Sequence, residues 1–424
     1  MEMYDLLASY LQKETIEKLK EEMEKETPNK GLLLNVNKTN SAVLNDFTTM
    51  KQDNIDKSLY LYDSSIDKPG KNILHECGAY YILDPSADII SQNLISNEYE
   101  VVLDMCAAPG GKTISYALKH PRSLIISNDY SSSRAVELAK NIERMGLANV
   151  IVTSYDPSFF LDNYQQYFDK IILDTPCSGT GMFRKSAEVK DDWSYEKTLN
   201  LLPLQDKLLS IAYDLLKKGG ILSYSTCSFL KEEDEDRINN ILSLHSDLSV
   251  LPLKEEEGYY EGTLKGCYHL FPSLYKKGEG HFVCFLKKDG TLSSNSFNLK
   301  HGKYNKELNL YEFNYLNETY ALPYFDSIMF KLKSLRFGLK LSNDSKYSKC
   351  PYDHALSHYL SSENSLQISK EETEKYLKGE EISIASSMKD GIVILSYLGC
   401  NIGYGKKVGN KVKNYYPKGL RKSL

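Results

Sequence analysis

No two of the eight cysteines in this 424-residue chain lie closer than 17 positions. There is therefore no CxxC pair, and neither zinc-ribbon nor dithiol redox spacing. No apolar run approaches the roughly 18 residues that cross a bilayer. The segment Met1 to Lys30 is charged, with no apolar core and no small-residue cleavage site, so no signal peptide is expected. Tryptophan occurs once, at Trp193, and positive charge is short: 52 Lys and Arg against 57 Asp and Glu leave a net −5. That balance alone argues against a nucleic-acid partner. Scattered thiols in a chain of this length are expected to be reduced, in the cytoplasm, and most to be small buried hydrophobes.

The distribution of charge matters more than its sum. Asn401 to Leu424 holds seven basic residues (Lys406, Lys407, Lys411, Lys413, Lys418, Arg421, Lys422) and no acid, whereas Met1 to Lys30 holds eight acids and five bases. A basic end on an acidic protein suggests a localised phosphate-binding face. The plainer alternative is a solvated tail, but Tyr404, Tyr415, Tyr416 and Pro417 among the lysines favour ordered structure.

From about Tyr99 the chain alternates strand and helix patterns. Val101–Asp104, Ser123–Asp129, Val150–Val152, Lys170–Asp174 and Ile221–Ser225 are expected strands. Between the second and third, Ala135, Leu138, Ala139, Ile142 and Met145 share one helical face. Leu204, Leu208, Ile211, Ala212 and Leu215 mark a helix expected to stop at Gly219-Gly220, and Phe282–Leu286 closes the unit. The expected fold is α/β, a Rossmann-like seven-stranded, mostly parallel sheet covered on both faces. Ligands of such sheets sit beyond the carboxyl ends of the strands. Three units are expected: a small N-terminal accessory domain over 1–75, a catalytic domain over 76–288, and an α+β C-terminal region over 289–424, entered through a polar linker at Asp289–Ser296.

Cys106, Ala107, Ala108, Pro109, Gly110, Gly111 and Lys112 join the first strand to its helix. Small side chains there let backbone amides approach a ligand, and a helix N-terminus favours negative charge. The loop is neither G-x-G-x-x-G nor G-x-x-x-x-G-K-[ST], and by itself it could be a plain turn. Its neighbours sharpen it. Asp129 ends the second strand, where an acid can accept from two ribose hydroxyls. Asp156 follows the third, placed to meet an adenine amino group. Two further strand ends carry cysteines, in Asp174-Thr175-Pro176-Cys177 and Ser225-Thr226-Cys227-Ser228. A lone loop cysteine is usually incidental; two at neighbouring strand ends suit covalent catalysis. A thiolate adding to carbon 6 of cytosine makes carbon 5 nucleophilic enough to take a methyl group, and an acid near N3 steadies the charge that develops. A Pro-Cys nucleophile, as in DNA cytosine methyltransferases, would point to Cys177.

Met105 to Thr113, with Asp-x-Pro-Cys and Thr-Cys, resembles the RNA 5-methylcytosine methyltransferases of the Nol1/Nop2/Sun family. That resemblance implies S-adenosylmethionine held by Cys106 to Lys112, Asp129, Asp156 and Asp174. It also implies Cys227 as nucleophile, Cys177 as the residue that assists release, and Asp174 facing the cytosine N3 edge. Ala79 to Ala87 is similar to the family's entry segment, with Leu83 in place of its usual Gln. Phe183-Arg184-Lys185 matches too, and its charges are expected to hold substrate phosphates. Arg336–Lys340, Leu377–Glu380, Gly399–Lys406 and Lys413–Arg421 resemble the ends of bacterial RsmF-type enzymes, which methylate cytosine in 16S ribosomal RNA and carry a PUA-like RNA-binding part. RNA is then the expected partner, with no membrane and no metal, and the chain acts as a monomer. A transfer RNA cytosine methyltransferase and a non-catalytic ribosome-assembly factor stay open as alternatives. The acidic run Lys231–Asp236 reads as helix-dipole compensation, Trp193 as core, and His354 with His358 as a helix pair lacking further metal ligands.

Overall fold

A computed structural model describes residues 2–25, 29–97, 99–253, 256–293, 302–315, 318–324, 327–342 and 350–421. The expected linker lies outside the described residues from 294 onward, as does Lys422. Among the described residues no helix is long and apolar enough to cross a membrane.

A central sheet carries the molecule. Its strands are β1 (Val101–Asp104), β2 (Leu124–Asn128), β3 (Val150–Thr153), β4 (Phe168–Asp174), β5 (Leu216–Thr226), β6 (Leu248–Leu251), β7 (Tyr260–Glu261), β8 (Cys267–His269), β9 (Phe282–Lys288) and β10 (Ser334–Phe337). They run in the order β7-β8-β9-β5-β4-β1-β2-β3-β10, with β6 also paired to β9. The five strands β1 to β5 are parallel. Their Val/Ile-rich residues are buried almost throughout, as a sheet covered on both faces requires. Helices α1 (Gly111–Lys119), α2 (Ser132–Met145), α3 (Tyr195–Leu215) and α4 (Glu235–Leu244) belong to this unit. The predicted face of α2 is buried at Ala135, Leu138, Ile142 and Met145.

Three expectations are corrected. The sheet has ten strands, not seven. One of the added strands, β10, comes from beyond 289 and pairs antiparallel with β3, closing an edge whose peptide groups would otherwise stand unpaired. The N-terminal unit does not end at 75: Tyr80–Leu83 pairs with Asn29–Leu34 in a four-stranded antiparallel sheet. Gly219-Gly220 does not stop α3. The helix ends at Leu215, and both glycines lie inside β5, where a Cβ on Gly220 would meet the Asp169 carbonyl oxygen at 2.9 Å.

The C-terminal region holds a four-stranded antiparallel sheet and a five-stranded one ending in Cys400–Val408 and Lys411–Asn414. Leu395, Ile402 and Tyr376 of the latter unit pack in one cluster with Leu32, Leu34 and Tyr80 of the N-terminal sheet. The N-terminal and C-terminal sheets therefore meet beside the central unit, and Lys406, Lys407, Lys411 and Lys413 of the basic run lie on strands, with Tyr404 and Tyr416 buried.

Candidate active site

The parallel pairing of β4 with β5 sets Asp174 opposite Ser225. The chain leaves both strands at the same level, so the loops that follow run side by side. Gly181 N donates to the Cys227 carbonyl at 2.8 Å, and the Cys177 and Cys227 sulfurs stand 3.2 Å apart. The contact with Cys227, then burial, push the Cys177 thiol well above the ordinary range. Either sulfur can donate to the other across this contact.

Asp174 closes the other side. Ser225 Oγ donates to its Oδ1 at 2.8 Å, and Lys112 Nζ lies 2.6 Å from its Oδ2. Burial opposes ionisation of this carboxyl, but Lys112 and the two hydrogen bonds outweigh it and hold it below its usual range. Lys112 Nζ also reaches His281 Nε2 at 3.2 Å. Burial and the Lys112 charge push His281 down to about 4, so its ring is neutral and Nε2 accepts. Nδ1 then carries the proton and donates to Ser86 Oγ at 2.9 Å, which in turn donates to Asp84. A continuous chain thus runs from Asp174 to the N-terminal segment.

Beside this lies a cleft of about 290 Å³ lined by Cys106, Asp129, Asp156, Pro157, Leu208 and Ile211, among others. Asp129 takes Ala108 N on Oδ2 at 3.1 Å and Ser131 N on Oδ1 at 3.0 Å. Ser158 donates to Asp156 through N and Oγ and holds it below its usual range. The 107–112 loop turns through Gly110 at φ 113°, a conformation L side chains rarely adopt. A Cβ there would also sit 2.8 Å from Leu138 Cδ1. Ala107, Ala108 and Lys112 are buried while Pro109 is exposed. Beneath the loop, Asp104 takes Thr113 Oγ1 on Oδ2 at 2.6 Å, and its Oδ1 is buried without a partner. Burial raises this carboxyl to about 7. The set fits a nucleoside with a cationic amino-acid arm: acids for sugar and base, apolar walls, and a buried acceptor for an ammonium.

The structure brings together Cys177, Cys227, Asp174 and Lys112 in one group, and Cys106, Asp129 and Asp156 around the adjoining cleft. It does not expose Arg184 to a substrate. That side chain is 3% exposed and bonded to Glu279 and Glu22 at 2.9 and 3.2 Å, whereas Lys185 is exposed. The acidic run is not a solvated helix start either: Glu233, Asp234 and Glu235 are fully buried. Thr226 Oγ1 donates to Asp234 at 2.6 Å, and Glu235 meets His269 Nε2 at 3.0 Å. Trp193 is half-buried and edge-on to Phe183. His354 and His358 are buried, with their Nε2 atoms 3.1 Å apart.

Sequence reasoning missed Glu233, Gln205, Ser86 and His281. For His281 a signal existed: it precedes β9, whose Phe282 pairs with Thr226 beside the Cys227 loop. Nothing in the pattern separates Glu233 from its acidic neighbours.

Residues 91–287 match the family described as 16S rRNA methyltransferase RsmB/F, and residues 363–422 match the methyltransferase RsmF PUA domain. The chain is 30% identical over 386 residues to ribosomal RNA small subunit methyltransferase F of Vibrio vulnificus, covering 83% of this chain and 81% of that protein. The same-named protein of Shewanella piezotolerans is 29% identical over 392 residues, with 83% and 81% covered. A methyltransferase homologue from Pyrococcus horikoshii superposes with a TM-score of 0.57 and 28% identity, over 68% of this chain and 93% of that one. NSun6 from the same organism, solved with SFG, shares the fold with a TM-score of 0.61 at 17% identity, over 68% and 98%. With a cleft at the carboxyl ends of a parallel sheet and a relative 30% identical across most of both chains, this protein belongs to the RsmB/F family of S-adenosylmethionine-dependent RNA methyltransferases.

Proposed function

We propose that this enzyme transfers a methyl group to carbon 5 of cytosine in 16S ribosomal RNA, through a covalent bond between Cys227 and carbon 6 that is released with help from Cys177. The observation that carries the reading is the pair of sulfurs at 3.2 Å. Attack is assigned to the Thr-Cys thiol, Cys227, and release to the Pro-Cys thiol, Cys177, by the resemblance to the 5-methylcytosine methyltransferases.

S-adenosylmethionine supplies an electrophilic methyl group. Asp129 would hold its ribose, Asp156 its adenine, and the 106–112 loop with Asp104 its amino-acid arm. The target cytosine leaves its stack to reach the two thiols. Cys227 adds to carbon 6, and Asp174, kept close by Lys112 and Ser225, faces the N3 edge, where its carboxylate accepts a hydrogen bond from the cytosine amino group. After methyl transfer the carbon 5 proton passes to a water molecule, the electrons of that bond re-form the 5,6 double bond, and Cys227 leaves carbon 6 with its bonding pair as a thiolate, which the Cys177 thiol beside it can hydrogen-bond. The enzyme works as a cytoplasmic monomer, and its basic C-terminal unit grips folded RNA.

Small-subunit RNA from a deletion strain should accept labelled methyl groups from the purified enzyme, and bisulfite mapping should find a cytosine unprotected there and protected after treatment. Labelling confined to transfer RNA, or none, would overturn the assignment.

A further inference from the structure

Glu233 lies seven residues beyond the end of β5 and is fully buried. Four donors converge on its carboxylate. Ser178 N and Gln205 Nε2 reach Oε1 at 2.8 and 3.1 Å, while Ser228 Oγ reaches Oε2 at 2.6 Å and Ser178 Oγ shares that oxygen. All four acceptor sites of the carboxylate are therefore engaged. Ser178 directly follows Cys177 and Ser228 directly follows Cys227, so a single acid grips the neighbour of each thiol. Gln205 adds a third hold, since its amide also donates to the Pro176 carbonyl at 3.0 Å, on the other side of Cys177. The acid is itself anchored to β5, for Tyr224 Oη donates to the Glu233 carbonyl at 2.6 Å.

We propose that Glu233 is a positioning residue of the two-thiol site, whose carboxylate sets the separation and facing of the Cys177 and Cys227 sulfurs and so couples methyl transfer to product release. The proposal rests on the covalent reading above and deepens it. Backbone pairing of β4 with β5 ends at Asp174 and Ser225. Beyond it the contacts between one cysteine loop and the other include the Thr175 N to Ser225 carbonyl bond and the Gly181–Cys227 hydrogen bond, the sulfur contact itself, a 3.3 Å hydroxyl contact between Thr180 and Ser228, the Phe229 N to Thr180 Oγ1 bond, and the Glu233 clasp. Among these the clasp holds the residue after each sulfur and carries charge-assisted bonds, which are shorter and stronger than neutral ones.

Glu233→Gln keeps the shape but turns an amide N–H toward donors, so one side of the clasp opens. Its methyl-transfer kcat should fall about tenfold or more, the scale set by charge-assisted hydrogen bonds, with the KM for S-adenosylmethionine unchanged. Denaturing gels should show enzyme–RNA adduct building up during turnover. A second readout needs no catalysis. Diamide, a diazene, takes two electrons and two protons from a thiol pair, becoming a hydrazine as the disulfide forms. It should join Cys177 to Cys227 in the wild-type protein about tenfold faster than in Glu233→Gln, as followed by mass spectrometry. If the wild type makes no 5-methylcytosine, the proposed function fails while the diamide comparison still decides the clasp. Unchanged kcat and unchanged disulfide rate would overturn the proposal. So would a lower folded fraction with normal values per folded molecule, which marks a merely structural role. Should Glu233→Gln not fold, Ser178→Ala and Ser228→Ala each remove one hydroxyl donor and should slow the disulfide reaction by a smaller factor; normal rates in both would equally refute it.

Discussion

Removing the Arg184 side chain distinguishes a structural arginine from a phosphate-binding one. Its Nε donates to Glu279 at 2.9 Å, Nη1 to the Glu22 carbonyl and carboxylate at 3.2 Å each, and Nη2 to the Gly278 carbonyl at 3.0 Å. One guanidinium thus fastens the Pro-Cys loop to the second N-terminal helix and to the turn before His281. Arg184 and Glu279 are each 3% exposed, so Arg184→Ala strands a buried carboxylate. Breaking one side of such a pair costs about 3–5 kcal/mol. For an unfolding unit of about 200 residues that lowers Tm by roughly 6–20 °C. Urea unfolding followed by circular dichroism measures the loss, and Arg184→Met combined with Glu279→Gln should recover part of it. RNA binding by folded Arg184→Ala should keep the wild-type salt dependence. A stability loss below about 1 kcal/mol, with the slope of log K against log salt reduced by about one, would show that the arginine faces phosphate and would refute this reasoning.

Acid should destabilise the protein through its buried histidines. Burial and the Lys112 charge hold His281 at about 4, and burial with Lys38 and Arg336 holds His354 at about 3, against about 6.5 unfolded. The unfolded chain therefore binds more protons once pH drops below 6.5. Stability should fall between pH 6.5 and about 4, by up to about 1.4 kcal/mol per histidine per pH unit; a urea midpoint that stays level from pH 7 to 5 would contradict this. Gly110→Ala forces a side chain into φ 113° and against Leu138. It should raise the KM for S-adenosylmethionine about tenfold and cost about 1–3 kcal/mol of stability, and a KM equal to wild type would show that the loop tolerates the change.

Much of the site was legible because strand ends are. β1, β2, β4 and β5 end in Asp104, Asn128, Asp174 and Thr226, and a polar residue closing an apolar run stands out in the sequence. The Pro-Cys and Thr-Cys turns follow directly, and the parallel order then forces the two thiols together. What escaped depends on contacts between distant segments. Lys231–Asp236 has the composition of an exposed helix start, yet three of its acids are buried because Ser178, Thr226 and His269 supply donors from three other elements. Arg184 carries a surface residue's chemistry but is enclosed by Glu22 and Glu279, 162 and 95 positions away. β10 was assigned to a separate unit because the need of β3 for an edge partner is a property of the sheet, not of either segment.

The most direct test of the central claim compares Cys227→Ala with Cys177→Ala in one assay. Each variant is mixed with small-subunit RNA and labelled S-adenosylmethionine and resolved on a denaturing gel. Cys227→Ala should give neither methyl transfer nor adduct while still binding the cofactor. Cys177→Ala should give a labelled enzyme–RNA band that persists, because methyl transfer occurs and release does not. Methyl transfer by Cys227→Ala, or a persistent adduct formed by it, would contradict the account.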